Sequence, residues 1–556
     1  MTTIRRIYAY LLAFAGLAMV SLAAAHLAQL LIDVALQSPP ATAGGYVRDT
    51  VSLWGALALV GLPVWLLHWL WVQRSTRADA DEMTSPLRRL YLYAVLAGAI
   101  LAAGYSIQEM LVQIFDALGF RTTGGVQTLD AILRPLPFAV VATLVWIAHW
   151  RTAAADRYDA GEVGGSARLR RWYLYGSAFV GLLLLLNGAR ALIEALWLTA
   201  TQVATAQGVG IPRAAADALV GLGVWVLHWV VLPRRLPAVA RHDDGVSVLR
   251  SVYLFLALAV GVIGTLLGLS ELLYYTVGRA LGIASPGGVG GDLVQAAAGP
   301  ASAAIVYGAA WAYQRAALRR QAAAFDEAPR QAGIRRLYTH VVALVALSVL
   351  TSGVAGLLWT LCDVLVAPGA SIGDYWRERV ALYATLAMVG LPVWFLHWRP
   401  VVASVDESRS LARRLYVYLT LIAAMLTVVG SVAALLYRLL GIALGGGWRP
   451  EVVADLTHAV AVASVASVVA AYHWQVLRAD ARRTGTVPVE ARDMAALVEA
   501  SDLAEAPERS STVLVEIQAD TEETLSRALS SLRATGVTVT VRRHDWVGGS
   551  RGIPRG

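Results

Sequence analysis

Residues 5–10 read Arg5-Arg6-Ile7-Tyr8-Ala9-Tyr10, and five later stretches repeat this basic and aromatic signature at the start of an apolar run. The later copies begin at Arg88, Arg170, Arg250, Arg335 and Arg413. The chain has 57% hydrophobic and only 15% charged residues, whereas a soluble domain has roughly 25% charged residues. Repeated apolar runs of this composition predict an all-α polytopic membrane protein whose partner is the lipid bilayer.

A His-Trp pair closes the second helix of each repeat, roughly sixty residues after the signature. The pairs are His68-Trp69, His149-Trp150, His228-Trp229, His397-Trp398 and His473-Trp474, and Ala310-Trp311 stands in the fourth repeat. From Arg48 to His68 a helix rises about 30 Å, which is the hydrocarbon thickness of a bilayer. Each repeat therefore predicts a hairpin of two spans, and six repeats predict about twelve transmembrane helices.

The sequence also has a longer repeat, which spans two hairpins. Alternate second helices share a glycine-rich motif that reads Gly61-Leu62-Pro63-Val64-Trp65, Gly221-Leu222-Gly223-Val224-Trp225 and Gly390-Leu391-Pro392-Val393-Trp394. This alternation predicts three tandem four-helix modules, at residues 1–152, 168–316 and 333–476. Because every module has an even number of spans, all three insert the same way up, and a pseudo-threefold arrangement is the simplest expectation.

The arginines predict the orientation. They concentrate in the segments that join one hairpin to the next, and basic loops stay on the cytoplasmic side of a membrane. We therefore expect the His-Trp pairs and both termini to be cytoplasmic, in a bacterial inner membrane.

The C-terminal segment has a different composition. Residues 477–511 are polar and predict a linker, residues 512–545 predict a small strand-helix-strand (βαβ-like) unit, and residues 546–556 predict a disordered basic tail. A single unit of this kind is too small to hold its own core, so we expect 512–545 to bind a cytoplasmic protein partner or a second copy of itself.

The His-Trp pairs have two interpretations. Histidines at equivalent positions suggest ligands or proton carriers. Their place at helix ends favours instead a structural interface, in which the end of the second helix is tied to the arginines and tyrosines that open a neighbouring helix. We expect no cofactor, haem or metal, and no nucleic-acid binding, because no matching motif occurs.

A polar stripe marks the far half of the first helices. Its ionisable residues recur at steps of three, four and seven, which places them on one helical face. They are His26, Asp33, Glu109, Asp116, Glu194, Glu271 and Asp363. Ionisable groups in spans are costly and are candidates for function. The stripe predicts either pairing between helices or a vestibule for an ion or small solute.

The signature and the His-Trp closure together resemble an uncharacterised bacterial four-span membrane domain of unknown function, here in three tandem copies from Arg5 to Trp474. The resemblance implies membrane insertion and duplication but no activity. We therefore expect a non-enzymatic scaffold or signal-coupling module. A channel or transporter that uses the polar stripe, or a structural subunit of a larger membrane complex, are the alternatives.

Overall fold

The computed structural model describes residues 3–38, 44–78, 80–120, 126–162, 164–202, 210–288, 292–324, 329–366, 373–398 and 410–484. The chain divides into two compact units, Met1–Gly485 and Thr486–Gly556. The predicted strand-helix-strand unit at 512–545 and the tail at 546–556 lie outside the described residues, as does most of the predicted linker. Among the described residues there are helices and turns but no strand.

Twelve long helices dominate the described chain. They are α1 (Thr3–Ala35), α2 (Tyr46–Ala78), α3 (Pro86–Phe115), α4 (Leu136–Ala160), α5 (Gly165–Ala200), α6 (Ile211–Val226), α7 (Val248–Ala280), α8 (Leu293–Ala324), α9 (Pro329–Val366), α10 (Tyr375–Trp398), α11 (Leu411–Gly441) and α12 (Pro450–Thr484). Helix α6 continues through a π-helical turn to Arg234, and with this extension all twelve segments are long and apolar enough to cross a bilayer. The protein is therefore a multi-pass helical membrane protein.

Helix α12 is longer than the sequence indicated. It runs to Thr484, so the boundary predicted at residue 477 lies inside the helix. The polar residues after His473 continue the helix because Asp480 is held by an ion pair with Arg413 on α11. The predicted linker can begin only after this helix.

Consecutive helices pair as six hairpins, α1/α2 through α11/α12, which we number 1 to 6. The same contact joins each hairpin to the next. The first helix of one hairpin packs against both helices of the following hairpin, as α1 does with α3 and α4, and α3 does with α5 and α6. The relation recurs at all five steps, whether or not a step crosses a predicted module boundary.

The hairpins therefore form a row. Among the described helices, no extensive packing joins hairpin 6 to hairpin 1, so the expected pseudo-threefold closure is not found. The division into three modules stays a prediction from the longer sequence period.

The glycines of that longer motif lie at close helix contacts, although hairpin 4, which lacks the motif, also has one, with a Cβ on Gly261 only 2.9 Å from the backbone nitrogen of Trp311. In hairpin 3, a Cβ on Gly221 of α6 would clash with the backbone nitrogen of Leu185 on α5. In hairpin 5, a Cβ on Gly390 of α10 would lie 2.6 Å from the backbone nitrogen of Leu350. Small residues let helix backbones approach closely in membranes. The glycine motif of alternate second helices thus marks a tight crossing inside hairpins 1, 3 and 5.

Candidate functional site

A layer of aromatic, histidine and arginine side chains lies at the end of the row where the first helix of each hairpin begins. We call this the signature layer, and we call the opposite end the tip end. The layer is centred on the first tyrosine of each signature. These tyrosines are Tyr8, Tyr91, Tyr173, Tyr253, Tyr338 and Tyr416.

One hydrogen-bond chain shows how the layer is built. Trp146 on α4 donates its Nε1 hydrogen to the Tyr173 hydroxyl on α5 at 2.6 Å. The hydroxyl in turn faces Nε2 of His228 at 2.8 Å, and Nδ1 of His228 lies 2.9 Å from the Val224 carbonyl. A carbonyl only accepts, so Nδ1 carries the hydrogen and Nε2 accepts from the tyrosine. The chain fixes the histidine tautomer and joins hairpin 2 to hairpin 3.

Other hairpins repeat parts of this chain. Tyr416 accepts from Trp394 at 3.0 Å and faces Nε2 of His473 at 3.1 Å. Tyr91 faces Nε2 of His149 at a longer 3.4 Å. In hairpins 1 and 5 the contact is between rings only, with centroid distances of 5.5 Å for Tyr8–His68 and 6.4 Å for Tyr338–His397. In every hairpin that has the histidine, the partner is therefore the first tyrosine of the same hairpin.

Hairpin 4 lacks the histidine but keeps the tryptophan bond. Tyr253 accepts from Trp225 of hairpin 3 at 2.9 Å. Ala310 occupies the histidine position, and a buried glutamine, Gln314, lies one turn further along α8. The tryptophan–tyrosine hydrogen bond between hairpins 3 and 4 is therefore kept although hairpin 4 has no histidine.

The second aromatic position of each signature contacts the following hairpin. Its ring packs on the first tyrosine of the next signature, with centroid distances of 5.3–5.9 Å. The pairs are Tyr10–Tyr91, Tyr93–Tyr173, Tyr175–Tyr253, Phe255–Tyr338 and His340–Tyr416. All five steps have this contact, so the two aromatic positions of the signature form a ladder along the row.

The tryptophan of the His-Trp pair also contacts the next hairpin. Its ring packs on the next first tyrosine, at centroid distances of 4.6–6.5 Å. The pairs are Trp69–Tyr91, Trp150–Tyr173, Trp229–Tyr253 and Trp398–Tyr416. The histidine therefore contacts the first tyrosine of its own hairpin, and the tryptophan beside it contacts the first tyrosine of the next hairpin.

Carboxylates that no sequence motif marks pair with the signature arginines. Arg88 donates to both oxygens of Asp156 at 2.7 and 3.0 Å, and Arg413 does the same to Asp480 at 2.7 and 3.1 Å. Both acids stand seven residues, or two helical turns, after the histidine of their hairpin. Arg170 meets Glu162 and Asp244 instead. These arginines are at most 2% exposed, so the pairs are buried.

At the tip end, three members of the polar stripe pair across a hairpin step. Asp33 is buried and meets Arg134 at 3.1 Å, and Glu109 meets Arg213 at 2.8 Å. Asp363 pairs with His458 and with Arg379. Arg134, Arg213 and His458 each stand fifteen residues before the histidine of their own hairpin. The first helix of one hairpin thus gives the acid, and the second helix of the next, or the turn just before it in the case of Arg134, gives the base.

The remaining stripe residues do not join this pattern. The ring of His26 stacks on Trp54 at 3.7 Å, and Glu194 pairs with Arg190 one turn away at 2.7 Å. Asp116 begins the π-helical turn that ends α3. Glu271 is exposed and has no ion pair within the described residues. The structure therefore does not bring the seven residues into one site.

Two cavities between the helices are apolar. One of about 480 Å³ lies between α9, α10 and α12, and another of about 390 Å³ lies between α1, α3 and α4. Both are lined almost entirely by aliphatic and aromatic side chains. Across the described part of the chain, no group of three or more His, Cys, Asp or Glu side chains is arranged to hold a metal.

The chain matches a known family model over most of its length. The family described as a domain of unknown function, DUF5671, matches residues 6–108, 100–200, 185–309 and 336–468. The chain belongs to this family. The DUF5671 matches number four rather than the three copies expected, and two of them begin at equivalent signature residues, Arg6 and Arg336. Searches of curated proteins and of solved structures found no match.

Proposed function

We propose that the protein is a non-enzymatic membrane scaffold with a signal-coupling tail, its row of hairpins serving as a rigid base for a partner that binds residues 512–545. The proposed scaffold role rests on one observation. The stripe acids Asp33, Glu109 and Asp363 pair with basic side chains on the neighbouring hairpin. Ionisable groups that are used to join helices are not available to lead a solute through the membrane.

The signature layer supports the same role. All five hairpin steps use aromatic contacts, and hairpins 2, 3 and 6 add a buried tyrosine hydroxyl beside a histidine and a buried arginine paired with a carboxylate. Polar networks of this kind make an arrangement more rigid. The apolar cavities also favour packing over permeation, since a path for ions needs polar ligands or charged rings.

A flux measurement tests the choice between scaffold and transporter. The purified chain is reconstituted in liposomes, and ion and small-solute flux is compared between the wild type and a chain with both Glu109→Gln and Glu271→Gln. We expect flux equal to that of protein-free liposomes for both chains. Flux through the wild type that the double variant reduces would favour the transporter.

A pull-down tests the partner-binding part. The full chain and a chain truncated after Gly485 are used as baits in mild detergent. We expect a protein that copurifies with the full chain alone. If both baits retain the same proteins, the partner binds the membrane unit, and a structural subunit of a larger complex becomes the better explanation.

A further inference from the structure

The two ends of the row expose the halves of one interface. At every internal step, the second aromatic position of one hairpin is buried against the first tyrosine of the next. Tyr93 is 4% exposed and Tyr173 is 5% exposed, for example. At the ends the same positions are open, with Tyr8 of α1 54% exposed and Tyr418 of α11 51% exposed.

The open face of hairpin 6 runs along most of α11. It comprises Tyr418, Ile422, Met425, Val429, Val432 and Leu436, which are 43–60% exposed. Steps of four and three place them on one side of the helix. In α3 the equivalent residues, among them Ala97, Ile100 and Gly104, are buried or half-buried because hairpin 3 covers them. The face of α11 is thus the one that accepts the next hairpin.

Hairpin 1 presents the surface that fits this face. Val60 and Leu53 on α2 are 57% and 55% exposed, beside Tyr8 on α1. In hairpin 3 the residue equivalent to Val60 is Val220, which is 8% exposed and lies against Gly104 of α3. The outer side of hairpin 1 therefore has the side chains that an internal hairpin buries against its predecessor.

The polar parts of the two end faces also match. Trp474 on α12 is 49% exposed, whereas the equivalent Trp398 is 2% exposed and packs on the next first tyrosine at 4.6 Å. At the tip end neither face has an unmatched charge. Leu53 stands at the position of Arg134, and Gly441 stands at the position of Asp33. At these two positions docking would therefore bury no ion without a partner.

From the matching aromatic, apolar and polar positions of the two end faces, we infer that hairpin 6 of one copy binds hairpin 1 of a second copy within the membrane, with the geometry of an internal step. Such a contact is heterologous, because different surfaces of the two copies meet, and it builds a ring or an open chain of copies. The inference does not depend on the proposed scaffold role, since it rests on the internal interface alone.

Cross-linking tests the contact directly. In a Cys362→Ser background, Tyr8→Cys and Tyr418→Cys are placed on separately tagged chains, expressed together and oxidised in membranes. We expect a disulfide dimer that carries both tags, and none from either variant alone. A chain with both changes should give a ladder of larger species or a closed ring.

A matched control lies on the same helix. Leu415 of α11 is 46% exposed, but its equivalents Leu90 and Leu337 are each 50% exposed within the row, so this position faces away from the interface. Leu415→Cys should not cross-link to Tyr8→Cys. Equal cross-linking from both positions, or none from Tyr418→Cys, would mean that lipid covers the face. Self-cross-linking of Tyr418→Cys would mean a symmetric dimer. Each of these outcomes overturns the inference.

A bulky substitution gives an independent test. Ile422→Trp should reduce the yield of the Tyr8–Tyr418 cross-link by about tenfold, because extra volume prevents close packing. Leu426→Trp is the control, since its equivalent Leu101 is 59% exposed inside the row. Equal yields from the two tryptophan variants would argue against the interface.

Discussion

The hydroxyl of Tyr173 lies 2.8 Å from Nε2 of His228, and both side chains are at most 5% exposed. The same hydroxyl accepts a hydrogen bond from Trp146 of the preceding hairpin. One buried oxygen therefore joins three helices. The strength of the signature layer can be tested at this atom.

Tyr173→Phe should lower the free energy of unfolding by about 1–3 kcal/mol, because it leaves Trp146 Nε1 and His228 Nε2 buried without partners. The SDS concentration at half-unfolding, followed by tryptophan fluorescence, measures the change. Tyr158→Phe is the control, since Tyr158 is 89% exposed. Equal midpoints for the two variants would show that the hydrogen-bond chain does not stabilise the layer.

Asp156→Asn should be more damaging than the tyrosine change. It removes the charge that neutralises Arg88, whose side chain is 1% exposed, and breaking a buried pair costs about 3–5 kcal/mol. Asp49→Asn breaks an open pair with Arg48 and should have little effect, because water screens exposed ions. The same SDS titration compares them, and a variant at Asp156 as stable as the one at Asp49 would contradict the prediction.

Gly181→Ala tests the tight crossing in hairpin 3. The added methyl group would meet the Trp225 backbone at 2.7 Å, so we expect a loss of about 1–3 kcal/mol. Gly176 lies on the same helix with no atom within 4 Å of its added Cβ, and Gly176→Ala should stay within about 0.5 kcal/mol of the wild type. Thermal aggregation in detergent ranks the two, and the reverse order would show that close packing at Gly181 does not stabilise the crossing.

The orientation can be tested with single cysteines in a Cys362→Ser background. Tyr158 and Leu444 are 89% and 87% exposed, at the signature and tip ends respectively. Because arginine-rich segments stay inside, an impermeant maleimide added to intact cells should label Leu444→Cys but not Tyr158→Cys. Labelling of Tyr158→Cys alone would invert the orientation.

The helices and their repeat could be predicted from the sequence, because span length and the signature are both local features. The twelve apolar helices confirm the multi-pass expectation. Whether the hairpins form an open row or a closed ring could not be predicted from the sequence. A repeat that inserts the same way up fits a ring as well as a row, and the choice depends on the angle between neighbouring hairpins.

The partners in the signature layer were only partly visible. The position of His228 at a helix end predicted contact with a tyrosine, but no local feature says that the next residue, Trp229, contacts a different hairpin. Adjacent residues on a helix point about 100° apart, so they reach different neighbours. The acids Asp156 and Asp480 have a shared spacing from the histidine, which two copies alone did not reveal.

The stripe residues show a similar limit. Steps of three, four and seven placed Asp33 and Asp363 on one face of their helices. Their partners Arg134 and His458 differ in type, so no common motif marks them. They become equivalent only when the second helices are aligned on the histidine.

The direction of the ladder has a consequence for biosynthesis. From hairpin 2 onward, each first tyrosine packs on the second aromatic position of the hairpin before it, and Tyr91, Tyr173, Tyr253 and Tyr416 also contact its tryptophan. A ribosome makes the chain from the N-terminus, so those contacts are already in the bilayer when the tyrosine arrives. When the first helix of a hairpin is inserted, its partners on the preceding hairpin are therefore already in place. Only the histidine on the second helix of its own hairpin arrives later. Assembly can proceed one hairpin at a time during translation, without waiting for the distant end of the chain.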